Sequence, residues 1–418
     1  MKKLALYILI VSLLSGLAAC DGRGAVLVEE PTDPPETTTP AATARVTPSP
    51  RPSPSPSPLP TAPPGAVLSG TVGKNIFWEV DPETRTLTLS GAGAIPDYMA
   101  YDVGGWKDWP PWVEFNSFPW GYSVNLIDRL VIGEGITKIG AGAFEFMYLA
   151  EVILPDSLKI IGEAAFRTCT APGFAIPRNV AVIEEKAFAE CSISAFSVAP
   201  ENKAFCAVDG VLFDKKMARL ISYPSGKETV KYEVPKTVKS IESYAFSAGL
   251  NEDSLLEEII LPEGLISIGN AAFSCRGNLT KMNLPKSLRA IGCAAFWGTG
   301  IQEFVIPEGI KEIAPNTFDY VSPGNDLSLR RIALPSSLKK IDKLAFVFCS
   351  ELSEVYFLGK PPTLVYDDYE EAYPFDFAGD KFILYYPRKL ASYWAPKGET
   401  TWHGFPIEPY DELPDWAR

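Results

Sequence analysis

The sequence contains one histidine, His403, among 418 residues. A histidine-based catalytic triad and a metal site built from several histidines are therefore nearly excluded. We interpret His403 as a surface or cap residue. No glycine-rich phosphate loop follows a strand and opens a helix. We therefore predict no catalytic residue, no metal site and no cofactor. The 51 acidic residues leave a carboxylate-based hydrolase as a minor alternative.

Positive charge is also scarce, because 38 Lys and Arg stand against 51 Asp and Glu and leave a net charge of −13. Such a surface repels nucleic acid and anionic lipid. We predict no nucleic-acid partner, and contact with a membrane only through an attached lipid.

Long apolar runs are lacking except at the start, where MKKLALYILIVSLLSGLAAC is too short for a comfortable membrane span. Two lysines before an apolar stretch that ends on small residues are typical of a signal peptide, here residues 1–19. The run Leu17-Ala18-Ala19-Cys20 resembles a bacterial lipobox, which predicts acylation of Cys20 and cleavage before it. The alternative is an ordinary signal peptide whose cleavage site includes a cysteine.

Large apolar residues are nearly absent between Pro31 and Pro64, where 13 prolines occur. A segment with so little to bury cannot offset its ordering entropy and stays extended. We interpret residues 20–65 as a lipidated N-terminus followed by a disordered Pro/Ser/Thr-rich linker.

Cysteine is sparse, and the six that follow Cys20 are Cys169, Cys191, Cys206, Cys275, Cys293 and Cys349. An even count in an exported protein suggests disulfides. Three of them, however, stand three residues after a repeated phenylalanine, where other copies have Met, Gly or Thr. We therefore expect most of them to be packed thiols.

The residues that are present repeat one apolar skeleton. The stretch LPDSLKIIGEAAFRTC from Leu154 is followed 22 residues later by IPRNVAVIEEKAFAEC from Ile176. Proline and phenylalanine are 11 residues apart in seven copies: Pro155 and Phe166, Pro177 and Phe188, Pro235 and Phe246, Pro262 and Phe273, Pro285 and Phe296, Pro307 and Phe318, Pro335 and Phe346. An eighth copy has Gly133 and Phe144. Fixed spacing in one half and variable length in the other predict stacked coils that share one core.

The run LPxxLxxIGxxAFxxC, with LExIxLP strands, closely resembles the BspA-like leucine-rich repeats of bacterial surface proteins. The resemblance covers about Asn125 to Leu358. It implies a β-rich leucine-rich repeat solenoid with a parallel sheet on its concave side. It also suggests a surface protein whose partner is a host matrix protein or another cell-surface protein.

The repeat predicts the domain boundaries. We place an N-terminal cap at 66–124, with a hairpin turning at Asp81–Arg85 and an aromatic-rich loop, and the solenoid at 125–358. A hairpin insertion lies at about 197–230. A C-terminal cap follows at 359–418, with a strand at Lys381–Tyr386 and a short helix behind it.

The strands carry the strongest functional signal. Residues four and two positions before each proline alternate with the core positions and should face solvent on the concave side. The first column alternates in sign and the second is mostly apolar, which resembles an interface with an apolar centre and a polar rim. The predicted ligand-binding residues are Glu151, Ile153, Lys231, Glu258, Ile260, Lys281, Glu303, Arg331, Glu354 and Tyr356. Alternatively, the charges only hold the coils in register.

Two other segments allow a binding role. Tryptophans before the first coil could stack on sugar rings or could be buried against that coil: Trp106, Trp109, Trp112 and Trp120. The acidic run Tyr366–Asp380 lacks calcium-loop spacing, and we interpret it as a solvated loop. Our first hypothesis is a lipid-anchored surface protein that binds another protein. A glycan or cell-wall binding module is the alternative.

Overall fold

The computed structural model describes residues 68–98, 119–120, 126–249, 254–318, 329–366, 373–375, 378–379 and 381–418. The predicted signal peptide, Cys20 and the proline-rich linker lie outside these ranges. Within them, no helix combines the length and apolar character needed to cross a membrane.

The chain forms a β-solenoid whose repeats run as parallel strands with matched register. Equivalent residues pair coil to coil, as Arg129 pairs with Glu151 and Glu258 with Lys281. We call this row of strands the principal sheet, although it consists of four separately hydrogen-bonded groups. It contains Thr86–Gly91, Arg129–Ile132, Glu151–Ile153, Thr170–Ile176, Ser192–Val198, Lys231–Glu233, Glu258–Ile260, Lys281–Met282, Glu303–Val305, Arg331–Leu334, Glu354–Phe357, Ile383–Pro387 and Phe405–Tyr410.

A second row of parallel strands, which the sequence analysis did not predict, is built from the LxxI half of each repeat. We call it the second sheet, and it consists of three separately hydrogen-bonded groups. Its strands are mostly two residues long, because only the residues beside the buried isoleucine are extended. It contains Gly93–Ala94, Ile136–Ile139, Ile160–Ile161, Val182–Ile183, Arg219–Ser222, Ser240–Ile241, Ser267–Ile268, Ala290–Ile291, Glu312–Ile313, Lys340–Ile341 and Thr363–Leu364.

The AF half of each repeat forms a third hydrogen-bonded ladder without strands. Alternate amides donate to the next coil, as Phe144 N–H does to Ala165 O at 2.8 Å and Phe166 N–H to Ala187 O at 2.9 Å. Alternation requires a left-handed residue two positions before the phenylalanine, for example Ala164 at φ 52°. The backbone hydrogen bonds that this conformation allows between coils offset the strain of the positive φ angle.

The repeated phenylalanines stack as predicted, in two segments instead of one file. Trp120, Phe144, Phe166 and Phe188 stack with ring centroids 5.2–5.8 Å apart. The second segment begins at Tyr223 and continues with centroid distances of 4.8–5.6 Å through Phe246, Phe273, Phe296, Phe318, Phe346 and Phe375. We call this the aromatic column.

The break in the column coincides with the long insertion. Phe205–Val208 and Val211–Asp214 form one antiparallel hairpin, and Arg219–Ser222 pairs antiparallel with the second of these strands. Arg219–Ser222 then pairs parallel with Ser240–Ile241. The insertion is therefore a variant coil that supplies Tyr223 in place of a phenylalanine.

The packed-thiol prediction is confirmed for three cysteines. Cys169, Cys191 and Cys349 are free and buried. The Cys169 thiol donates to Phe144 O at 2.8 Å, and the Cys191 thiol donates to Phe166 O at 2.7 Å. Burial raises the pKa of the Cys169 thiol to about 12, so it stays protonated. These thiols bond each coil to the preceding one.

Both ends of the solenoid carry additional strands. At the front, Ile76–Asp81 pairs antiparallel with Thr86–Gly91 around Asp81–Arg85, and Ser69–Val72 adds a third strand. At the back, a 3₁₀ turn at Arg388–Leu390 leads into the helix Ala391–Trp394. The remaining elements are Thr401–Trp402 and the 3₁₀ turn Asp415–Ala417.

We expect Phe273→Ala to destabilise the protein by about 3–5 kcal/mol, because Phe273 is fully buried between Phe246 and Phe296. Urea denaturation measures the change. Phe77→Ala removes a ring that is 58% exposed and should cost less than about 1 kcal/mol. Equal costs at the two positions would contradict a shared aromatic core.

Candidate binding face of the principal sheet

Outward residues at equivalent positions of successive coils are aligned in columns along the principal sheet. In Glu151–Ile153 and Glu303–Val305 the first and third side chains are exposed while the middle one packs inward. All ten predicted residues retain exposed surface: Glu151, Ile153, Lys231 and Lys281 and Glu303 are exposed, whereas Glu258, Ile260, Arg331, Glu354 and Tyr356 are half-buried. We call this surface the outer face.

The charged column of the outer face contains three ion pairs between neighbouring coils, and among the described residues Lys281 and Glu354 form none. Arg129 Nε lies 2.5 Å from Glu151 Oε2, and Lys231 Nζ lies 2.8 Å from Glu258 Oε1. Arg331 pairs with Glu303 in the same way. Exposed pairs of this kind contribute about 0–1 kcal/mol each. Their main effect is that the column carries little net charge.

The second column is mostly apolar, with Glu233 and Asn283 as exposed polar members, and parts of it are open to solvent. Ile153 is 38% exposed and Val305 is 39% exposed, and Ile260 between them is half-buried. An exposed apolar strip beside neutralised charges can be dehydrated at low cost by a partner.

The C-terminal tail covers one end of the outer face. The Trp416 ring lies 5.0 Å from the Arg331 guanidinium and meets the Tyr356 ring edge-on at 5.6 Å. Ala333 lies two residues after Arg331 on the same strand and pairs with Tyr356, and it is 1% exposed where its neighbour Val305 is open. Position 333, two residues before Pro335, was expected to face solvent, and that expectation is wrong at this end of the sheet, where Trp416 contacts Arg331 and Tyr356.

Two residues of this end were not predicted. Tyr385 pairs with Tyr356 across the sheet, and their rings stack at 4.5 Å. The run Ile383–Pro387 has the repeat spacing, with Tyr385 two positions before the proline, so the signal was present in the sequence. No local pattern could place Trp416, which arrives from a separate turn.

The tyrosines of this end stay neutral at physiological pH. Burial is the largest cause that raises the pKa of Tyr356 to about 12, and nearby Glu354 adds to it. The ring therefore acts as an apolar surface with a hydroxyl edge.

Trp120 cannot serve as a sugar-stacking residue, so that part of the glycan prediction is wrong. It is 0% exposed and stacks on Phe144 at 5.2 Å, where it extends the aromatic column by one ring. A buried ring has no free face for a ligand. Trp106, Trp109 and Trp112 lie outside the described residues.

One cluster of carboxylates is buried in the turns. Arg167 and Glu190 are 9% and 7% exposed, with Arg167 Nε 3.3 Å from Glu190 Oε2. Burial raises the pKa of Glu145 to about 7 despite the nearby Arg167 guanidinium. A raised carboxyl pKa beside a second carboxylate is typical of acid–base catalysts. Here Glu190 is buried and Glu145 is half-buried in the turns between coils.

Metal-binding geometry is missing from the part of the chain that the structure describes, since no group of three His, Cys, Asp or Glu side chains could hold an ion. His403 is exposed, as predicted, beside the rings of Tyr373 and Trp402.

A family model decides the classification. The model of the BspA type leucine-rich repeat region matches six copies over residues 121–206 and 225–352. The chain belongs to this BspA-type leucine-rich repeat family. A search of curated proteins found no match.

Solved structures of similar fold come from bacterial leucine-rich repeat proteins. The cell-surface protein from Faecalibacterium prausnitzii is 22% identical, with 71% of this chain and 96% of that chain covered and a TM-score of 0.50. A protein from Eubacterium ventriosum is 22% identical over 75% and 95% of the two chains, with a TM-score of 0.47. The pneumococcal vaccine antigen PcpA is 22% identical over 68% and 74%, with a TM-score of 0.49.

We expect the free energy of unfolding to fall as pH rises from about 4.5 to about 7, by up to about 3 kcal/mol from Glu145 alone. The folded protein keeps a proton that the unfolded chain releases from pH 4.5 upwards. The stabilisation is therefore complete below that pH and is lost as pH passes 7. Urea melts at a series of pH values measure the slope.

Glu145→Gln removes the titrating proton and should flatten this part of the profile. Glu351→Gln, at an exposed carboxyl, is the matched control and should leave the slope unchanged. A Glu145→Gln profile identical to that of the unmodified chain would contradict the assignment.

Proposed function

We propose that this protein is displayed on a bacterial cell surface through a lipid on Cys20, and that it binds another protein across the outer face. The observation that carries the proposal is the open apolar column, Ile153, Ile260 and Val305, beside a charge column that neutralises itself. An apolar centre with a polar rim is the usual anatomy of a protein interface.

The size of the outer face supports a macromolecular partner. Ten strands from Arg129–Ile132 to Glu354–Phe357, about 4.8 Å apart, extend over roughly 40 Å. A standard interface buries about 800 Å² on each partner, which a face of this length supplies. Leucine-rich repeat proteins generally bind other proteins, and the similar structures include a cell-surface protein and a vaccine antigen.

We propose that the protein is a binding molecule and not an enzyme. Of the two carboxylates with the most catalyst-like setting, Glu190 is buried and Glu145 is half-buried in the turns between coils. We propose a host matrix protein or a surface protein of another cell as the partner class, with no cofactor required.

The test uses purified host matrix proteins as immobilised probes and surface plasmon resonance as the readout. The double variant Ile153→Asp, Val305→Asp should lower the affinity for a bound matrix protein at least tenfold, which is about 1.4 kcal/mol. The double variant places two negative charges in the apolar centre of the proposed interface, which loses its water when the partner binds.

The matched control is Val182→Asp, Val208→Asp, which changes two valines that are 43% exposed elsewhere on the solenoid. It should change the affinity less than twofold. Equal losses in both double variants, or a chain that binds none of the matrix proteins, would contradict the proposed face or partner class.

A further inference from the structure

A row of cations that form no ion pair within the described residues follows one edge of the second sheet; one of them, Arg289, donates hydrogen bonds to the backbone oxygens of Lys286 and Leu288. The residue seven positions before the repeat phenylalanine is basic and exposed in Lys159, Lys239, Arg289, Lys311 and Lys339. Backbone bonds place these positions in line: Ile266 N–H donates to Lys239 O, Arg289 N–H to Ile266 O, and Lys339 N–H to Lys311 O, each at 2.8 Å. We call Lys239, Arg289, Lys311 and Lys339 the cationic stripe.

The stripe differs from the outer face in how its charge is balanced. Across the ranges that the structure describes, none of the four cations has a carboxylate within 4 Å, although the chain has 51 acidic residues. Arg289, Lys311 and Lys339 come from consecutive coils. Like charges on adjacent strands are destabilising. Alignment of neighbouring coils therefore does not explain why like charges follow one another here.

Two nearby carboxylates have other partners, and a third forms no ion pair with the stripe. Glu308 accepts the backbone N–H groups of Ser336 and Ser337 at 2.8 and 3.1 Å. Burial acts to raise the pKa of Glu308, but these hydrogen bonds outweigh it and lower the pKa. Glu312 pairs with Lys340 at 2.9 Å. Of the acids in adjoining turns, Glu263 is exposed and forms no ion pair with Lys239. The stripe therefore keeps a net positive charge.

Two side chains of the stripe reach over the next coil. Lys239 Nζ is positioned over Gly264 of the next coil, 2.8 Å from where a Cβ would stand there. Arg289 is placed over Gly309 in the same way, with its Nη1 at 2.9 Å from that point. Each glycine leaves room for the cation of the preceding coil, so the charges form a line and not separate points.

The shape of the stripe selects the ligand class. Four cations distributed over five coils, about 4.8 Å apart, cover roughly 20 Å in a row one residue wide. A lipid bilayer would need a broad basic patch, which a chain of net charge −13 does not offer beside the stripe. A single-stranded nucleic acid would need aromatic rings for base stacking, and the position between Lys239 and Arg289 is Ile266.

We propose that the cationic stripe binds a linear anionic polysaccharide, whose sulfate or carboxylate groups lie along the solenoid axis. This binding activity is separate from the outer face and would operate together with it or without it. The stripe offers only positive charges at regular spacing. A linear polymer with regularly spaced anionic groups can match that spacing.

The test measures binding of the complete chain to immobilised heparin over a series of salt concentrations. Arg289→Gln, Lys311→Gln, Lys339→Gln should weaken binding at least tenfold and lower the slope of log affinity against log salt by about two to three. Uncharged dextran should not bind. The control Lys203→Gln, Lys216→Gln, Lys397→Gln removes the same charge from scattered exposed lysines and should change affinity less than twofold.

Three results would overturn the proposal: no heparin binding at low salt, equal losses in the two triple variants, or stronger binding to phosphatidylglycerol vesicles or to poly(U) than to heparin. The last result would assign the stripe to a membrane or to nucleic acid. None of these outcomes bears on the outer face, because the matrix-protein assay with Ile153→Asp, Val305→Asp reads a different surface.

Discussion

Stacking of each coil on the next is the constraint on which the rest of this structure depends. A single repeat has a ring, an isoleucine and a leucine to bury but no second layer to bury them against. Phe166 becomes fully buried only because Phe144 and Phe188 lie on either side of it at 5.5 and 5.8 Å. Three backbone ladders and the thiol of Cys169 connect the same coils. Stability is then a sum over neighbours, as in other repeat proteins.

Because the buried residues and the backbone hydrogen bonds supply the stability, the outward residues are free for other roles. The two sheets carry different outward residues. On the principal sheet, Arg129, Lys231 and Arg331 are neutralised by glutamates of neighbouring coils, and an apolar column stays open beside them. On the second sheet, Lys311 and Lys339 lie in adjacent coils with no such partner among the described residues. The scaffold therefore carries two surfaces of different character, and we propose that the first binds proteins and the second binds polyanions.

The sequence predicted the solenoid because the proline–phenylalanine spacing is invariant and the strand residues alternate strictly. Outward placement of Glu151 and Ile153 followed from that alternation. The second sheet was missed because its strands are two residues long, too short for a periodic signal. The left-handed backbone at Ala164 and Thr168 could not be predicted, because neither residue is of a type that favours this conformation. Burial of Trp120 and the return of Trp416 depend on contacts between distant segments, which local patterns do not encode.

Removal of one complete coil tests the stacking account most directly. Deletion of residues 155–176 joins Leu154 to Pro177 and keeps every later residue in its repeat position. Deletion of residues 166–176 removes half a coil and places polar residues in the core. Thermal unfolding followed by circular dichroism should show a cooperative transition for the full-coil deletion, a few degrees below that of the intact chain, and none for the half-coil deletion. Similar transitions for both deletions, or loss of folding in both, would contradict the account.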